Sequence, residues 1–128
     1  MKILLVDDER LARIYVQSAL QQLLGENHQF YQANGASQVM EVISQFGAPD
    51  ICFMDYKMPL CNGVDLIRQL QPQYPETVWV LISGYDMSQS LDKENSARIP
   101  FILEKPVSPE ELADVLRKCG VKEVNSAW

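Results

Sequence analysis

The sequence predicts a single α/β domain built on a doubly wound parallel sheet, and three observations carry that prediction. Short apolar runs recur along the chain and stop abruptly at polar or turn residues, the mark of strands buried on both faces. Between them lie stretches whose apolar residues repeat at helical spacing and end at Gly or Pro. Strand and helix alternate five times with short connections, which specifies parallel strands, right-handed crossovers and helices on both faces.

Residues 2–6, KILLV, are the first expected strand and end at Asp7-Asp8-Glu9. Residues 10–24 carry Ala12, Val16, Ala19, Leu20 and Leu23 at helical spacing, and Gly25 stands where a helix C-terminus favours glycine. Residues 29–33 read as a short second strand before the Asn34-Gly35 turn. The second helix is expected over 37–46, with Val39, Met40, Val42, Ile43 and Phe46 on its apolar side, and Gly47-Ala48-Pro49 ends it. Residues 50–55 form the third strand, in which Ile51-Cys52-Phe53-Met54 stops at Asp55. Met58-Pro59 and Asn62-Gly63 punctuate the loop that follows.

The third helix is expected over 64–70, marked at its start by Asn62 and ended by Pro72 and Pro75. Residues 77–82 are an apolar, β-branched run, the fourth strand, which ends at Ser83-Gly84. Trp79 within it reads as a core or helix-facing aromatic. Residues 88–97 predict a polar, poorly patterned fourth helix, and residues 100–103 a short fifth strand ending at Glu104-Lys105-Pro106. Ser108-Pro109-Glu110-Glu111 combines a capping serine, proline at the first helical position and acids in the first turn, so a fifth helix begins there and runs to about Cys119. The domain is expected over 1–119, and 120–128 reads as a tail or the start of a linker.

The small solution to this pattern is the strand order 2-1-3-4-5, with its switch point between strands one and three. Asp7 and Asp8 follow the first strand and Asp55 ends the third, so the fold brings three carboxylates to the edge where open α/β sheets hold their ligands.

Composition narrows the function. A chain of 128 residues that is 47% apolar makes one globular domain. No apolar run approaches the roughly 18 residues needed to span a bilayer. The N-terminus turns acidic too quickly for a secretory signal, so a cytoplasmic location and no membrane partner are expected. Cys52, Cys61 and Cys119 lack metal-ligand spacing, and Cys52 reads as a small core residue. A net charge of −6 argues against direct nucleic-acid binding, which needs a basic face for the phosphates.

Three carboxylates at close range repel one another, and left bare they hold a proton through a raised pKa. A divalent cation resolves the repulsion, and an all-oxygen site with room for water suits Mg²⁺. Strand four adds the Ser83 hydroxyl to this edge and strand five adds the Lys105 ammonium. Nucleophilic carboxylate, metal, hydroxyl and cation are the parts that position a phosphoryl group for in-line transfer, and Asp55 as acceptor would form an acyl phosphate. Singly, each residue has an ordinary explanation: helix-start acids, a strand-end hydroxyl, a surface lysine. Their coincidence at the ends of four strands does not.

The sequence resembles the receiver domain of two-component response regulators over about residues 2–119, with a doubly wound, flavodoxin-like sheet. The resemblance rests on Asp7-Asp8, on D-Y-K-M-P-L-C-N-G from Asp55 to Gly63, on Ser83-Gly84 and on Lys105-Pro106. It implies that Asp55 accepts a phosphoryl group from a phosphohistidine of a sensor histidine kinase or phosphotransfer protein. It further implies Mg²⁺ held by Asp8, Asp55 and the Lys57 backbone carbonyl, with Asp7 acting through water. Ser83 and Lys105 would hold phosphoryl oxygens, and the Lys105–Pro106 bond would be cis. The output would pass to a downstream protein target, an effector domain beyond this chain, or a second copy through the fourth helix, fifth strand and fifth helix.

Two features depart from or refine that pattern. Receivers commonly place an aromatic residue three positions before the lysine, where this chain has Ile102; Phe101 falls on the opposite face of the strand unless a bulge intervenes. Lys57 and Tyr85, two residues beyond Asp55 and Ser83, stand as gateposts expected to hinder attacking water and lengthen the phosphorylated state. The alternative is a degenerate receiver that acts as a phosphorylation-independent interaction module. A Mg²⁺-dependent aspartyl-phosphate hydrolase resembles D-x-D at its nucleophile, but Lys57 occupies the second acid's place. A flavin carrier of the same strand order needs a phosphate loop where Asp7-Asp8-Glu9 would repel the ligand. The chemistry expected of this chain is therefore confined to gaining and losing its own phosphoryl group, not turnover as an enzyme.

Overall fold

The computed structural model describes residues 1–84 and 98–125. Strands β1 (Lys2–Val6), β2 (Gln29–Ala33), β3 (Ile51–Asp55), β4 (Val78–Ser83) and β5 (Phe101–Glu104) form one sheet in the order β2-β1-β3-β4-β5. Every neighbouring pair is parallel. The described helices are α1 (Arg10–Leu24), α2 (Ala36–Phe46), α3 (Gly63–Leu70) and α4 (Pro109–Lys118). The helix expected over 88–97 lies outside the described residues, together with its share of the expected interaction surface.

Strand periodicity divides the core in two. Leu4, Val6, Cys52, Met54, Trp79 and Leu81 face α2 and α3 and pack with Val39, Ile43, Leu66, Ile67 and Leu70. The alternate residues Ile3, Leu5, Ile51, Phe53, Val80 and Ile82 face α1 and α4 and pack with Leu20, Leu23, Leu112 and Leu116. Trp79 is a core aromatic, 1% exposed, with an indole N–H that has no hydrogen-bond partner among the described residues. The Cys52 thiol is fully buried, and that burial pushes its pKa upward and leaves it inert.

Local chemistry ends the helices. The Asn62 side chain accepts from Asp65 N–H at 2.9 Å to cap α3. Ser108 and Glu111 form a reciprocal capping box on α4. Gly25 has φ +82° and returns its N–H to the Gln21 carbonyl at 2.9 Å. Strand β4 runs one residue further than the apolar pattern suggests, because Ser83 pairs with Glu104 in a regular ladder. On α2 only Val39 and Ile43 are buried; Met40 and Phe46 stay partly exposed, and Phe46 stacks on Tyr31 of edge strand β2 at 4.6 Å between ring centres. An edge strand offers too little surface to cover the whole apolar arc of that helix.

After α4 the chain turns back onto α1. Val121 and Val124 pack on the α1–α4 core, and Asn125 donates its main-chain and side-chain N–H groups to the Leu23 and Gln22 carbonyls at 2.8 and 2.9 Å. These bonds satisfy acceptors that the end of α1 leaves open.

Candidate functional site

The carboxyl ends of β1, β3, β4 and β5 meet at one edge of the sheet. Asp7 and Asp8 leave β1, Asp55 is the last residue of β3, Ser83 the last of β4, and Lys105 follows β5. Asp7, Asp8 and Asp55 each present an oxygen within 4.8 Å of the others. Asp7 and Asp55 are buried whereas Asp8 is exposed, so the cluster has two acids in its floor and one at its open side. Lys105 Nζ stands 3.1 Å from Asp7 Oδ2 and 3.1 Å from Asp55 Oδ1. The Lys105–Pro106 peptide bond is cis.

One ammonium shared by two aspartates does not neutralise three. Burial, and then the charge of Asp7, push the Asp55 carboxyl up to about 6 even though Lys105 pulls the other way. Burial alone would lower the Lys105 ammonium, but Asp55 and Asp7 raise it above its usual value, so it stays charged. Among the described residues Asp8 has no cationic partner. Converging carboxylate oxygens with surplus negative charge, one of them open to solvent, fit a small hard cation.

The Ser83 side chain is wholly buried and its Oγ has no hydrogen-bond partner among the described residues. A cleft of about 520 Å³ opens over the cluster, lined by Asp8, Asp55, Lys57, Gly84 and Lys105 among others. Such a space admits a tetrahedral oxyanion beside the Lys105 ammonium.

The loop after β3 is pinned to the sheet. Tyr56 N–H donates to Ile82 O and Gly63 N–H donates to Tyr56 O, both at 2.8 Å. Gly63 is required by proximity: a β-carbon there would lie 3.0 Å from Leu81 Cδ1 and closer still to the Asp55 carbonyl oxygen.

Asp7, Asp8, Asp55, Lys57 and Lys105 thus gather at one cleft, with Ser83 at the adjoining end of β4. Tyr85 lies outside the described residues. Ile102 sits on β5 opposite Leu81 with 42% of its surface exposed, while Phe101 and Leu103 pack on the α1–α4 side. Pairing is regular from Val80–Phe101 to Ser83–Glu104, so no bulge brings Phe101 to the other face. Sequence reasoning missed Arg13, whose guanidinium donates to the Asp7 main-chain carbonyl, and Tyr15, whose hydroxyl donates to Val107 O at 2.9 Å. The available signal was helical: side chains lean toward the helix N-terminus, so a basic residue early in α1 reaches back to the β1 tip.

Comparison with known proteins gives a consistent answer. The family described as the response regulator receiver domain matches residues 3–117. An uncharacterized response regulatory protein of Vibrio cholerae serotype O1 is 35% identical over 118 residues, covering 90% of this chain and 46% of its own. The transcriptional regulatory protein GlnL of Bacillus subtilis is 32% identical, covering 96% of this chain and 38% of its own. The chain therefore spans less than half the length of these two relatives. Among solved structures, a receiver domain from Methylobacillus flagellatus superposes with a TM-score of 0.79 at 26% identity, covering 93% of this chain and 98% of that one. The NtrX receiver domain of Brucella abortus gives 0.77 at 26% identity, covering 91% and 96%.

Proposed function

Because this chain belongs to the response regulator receiver family of two-component signalling, we propose that it is a phosphorylation-controlled switch whose acceptor is Asp55. The observation that carries the reading is the placement of Lys105 Nζ 3.1 Å from Asp55 Oδ1 at a cleft that also holds Asp8. Asp55 attacks the phosphorus of a phosphohistidine; the new O–P bond forms as the P–N bond breaks, and the imidazole leaves with the electron pair. Lys105 moves from bridging two carboxylates to holding a phosphoryl oxygen, and the Ser83 hydroxyl donates to another. Asp8, Asp55 and the Lys57 carbonyl are the groups to hold Mg²⁺. Asp7 contributes through water, since Oδ1 already accepts from Glu9 N–H at 2.9 Å and Oδ2 pairs with Lys105. Bound Mg²⁺ supplies charge neutralisation for the transferring phosphoryl group.

The partners that fit are a sensor histidine kinase or phosphotransfer protein upstream and a protein target or effector domain downstream. Support comes from relatives that include the autoinducer 1 sensor kinase/phosphatase LuxN of Vibrio harveyi. With Ile102 at the usual aromatic position, switching proceeds through Ser83 and the loop after β4 and not through an aromatic swing. Intact mass measurement after incubation with acetyl phosphate and Mg²⁺ tests the assignment. Wild type should gain one phosphoryl group and Asp55→Asn none. Equal modification of both, or of neither, removes Asp55 as acceptor.

A further inference from the structure

Among the described residues the ion pairs at the acidic cluster all belong to Lys105, and Arg13 forms none there. Arg13 Nη1 donates instead to the main-chain carbonyl of Asp7. Its Nε donates to Gln32 Oε1 at 3.0 Å, and Gln32 Nε2 donates to Gln17 Oε1 at 2.7 Å. The planar fork is therefore held in direction from both β2 and α1.

The carbonyl it grips belongs to the peptide unit that joins Asp7 to Asp8. The other polar atoms of Asp7 are also engaged: its N–H with Ala33 O at 3.1 Å, Oδ1 with Glu9 N–H, and Oδ2 with Lys105. Rotation of the Asp7–Asp8 peptide plane would leave Asp7 anchored but swing Asp8, the exposed acid of the cluster. Arg13 stops that rotation.

We propose that Arg13 is a positioning residue for the cation seat, fixing the Asp7–Asp8 peptide plane so that the Asp8 carboxylate converges with Asp55. The inference rests on the reading of this acidic cluster as a Mg²⁺ site. It makes a prediction of unusual sign. A positive charge next to the acids opposes a bound cation, so removing the charge alone would tighten Mg²⁺ binding. Removing the peptide clamp loosens it, as loss of an outer-shell partner does, by about tenfold or more.

Isothermal titration of the purified chain with Mg²⁺, at a temperature where thermal unfolding shows each variant folded, separates the two. Arg13→Met should weaken binding about tenfold. Arg13→Lys keeps the charge but not the fork and should be weakened as well. Gln32→Ala, which leaves the guanidinium in place without its guide, should weaken binding by a smaller factor and stands in if Arg13→Met does not fold. Unchanged or tighter binding in Arg13→Met, full restoration by Arg13→Lys, or wild-type affinity in Gln32→Ala would overturn the role of Arg13 alone. A wild-type chain that binds no Mg²⁺ would overturn the cation-site reading together with it.

Discussion

Lys105 Nζ lies 3.1 Å from Asp55 Oδ1, although their strands β5 and β3 are not neighbours and β4 runs between them. The contact spans the end of β4, where the Ser83 hydroxyl is buried without a partner among the described residues.

Asp55 carries a stability cost that depends on pH. Its folded-state pKa is raised from 3.8 to about 6, by burial first and by Asp7 next. Between those values the folded chain binds more protons than the unfolded chain, so this group's stabilising contribution is lost as pH rises through that window. In metal-free buffer Asp55→Asn should exceed wild type in stability at pH 7 by on the order of 2–3 kcal/mol, and match it near pH 3.5. Urea unfolding at the two pH values measures the difference, and added Mg²⁺ should narrow it at pH 7.

Ser83→Ala separates stability from function in opposite directions. Removing a buried hydroxyl that makes no bond among the described residues should leave the metal-free chain unchanged or more stable by up to about 1 kcal/mol. The same change should slow phosphoryl gain from acetyl phosphate by about tenfold or more, because a donor to the transferred group is lost. Thermal unfolding and a time course of intact mass report the two effects. A destabilised variant with normal phosphorylation would reverse both expectations.

Gly63→Ala should damage the acceptor loop from behind. The added methyl meets the Asp55 carbonyl oxygen and Leu81 Cδ1, and backbone must move to admit it. Overpacking of this kind costs about 1–3 kcal/mol. Mg²⁺ affinity, measured by calorimetry on the folded fraction, should fall with it. An alanine variant equal to wild type in both would mean the loop yields freely.

Lys57 is exposed and lines the cleft beside Asp55. If its side chain hinders attacking water, Lys57→Ala should shorten the phosphorylated lifetime several-fold while the rate of phosphoryl gain stays within about twofold. Decay of the phosphorylated mass after removal of acetyl phosphate checks this, and an unchanged decay would place the side chain in solvent with no part in the lifetime.

Local sequence alone was enough for the five strands, their parallel order and the meeting of Asp7, Asp8, Asp55, Ser83 and Lys105. The reason is that burial on both faces writes itself as apolar runs, and alternation with helices restricts the topology to few solutions. Ser108, Asn62 and Gly25 mark helix ends through bonds to their own neighbours, which spacing predicts. What spacing does not carry is the consequence of packing between distant segments. That Lys105 is shared by two acids, that Ser83 lacks a partner among the described residues and that Gly63 abuts Asp55 all depend on strand register and depth of burial. Arg13 on the Asp7 carbonyl and Asn125 on the end of α1 belong to the same class. Their partners are main-chain atoms, which every residue possesses and no residue type announces, so only the folded chain decides which carbonyl each one meets.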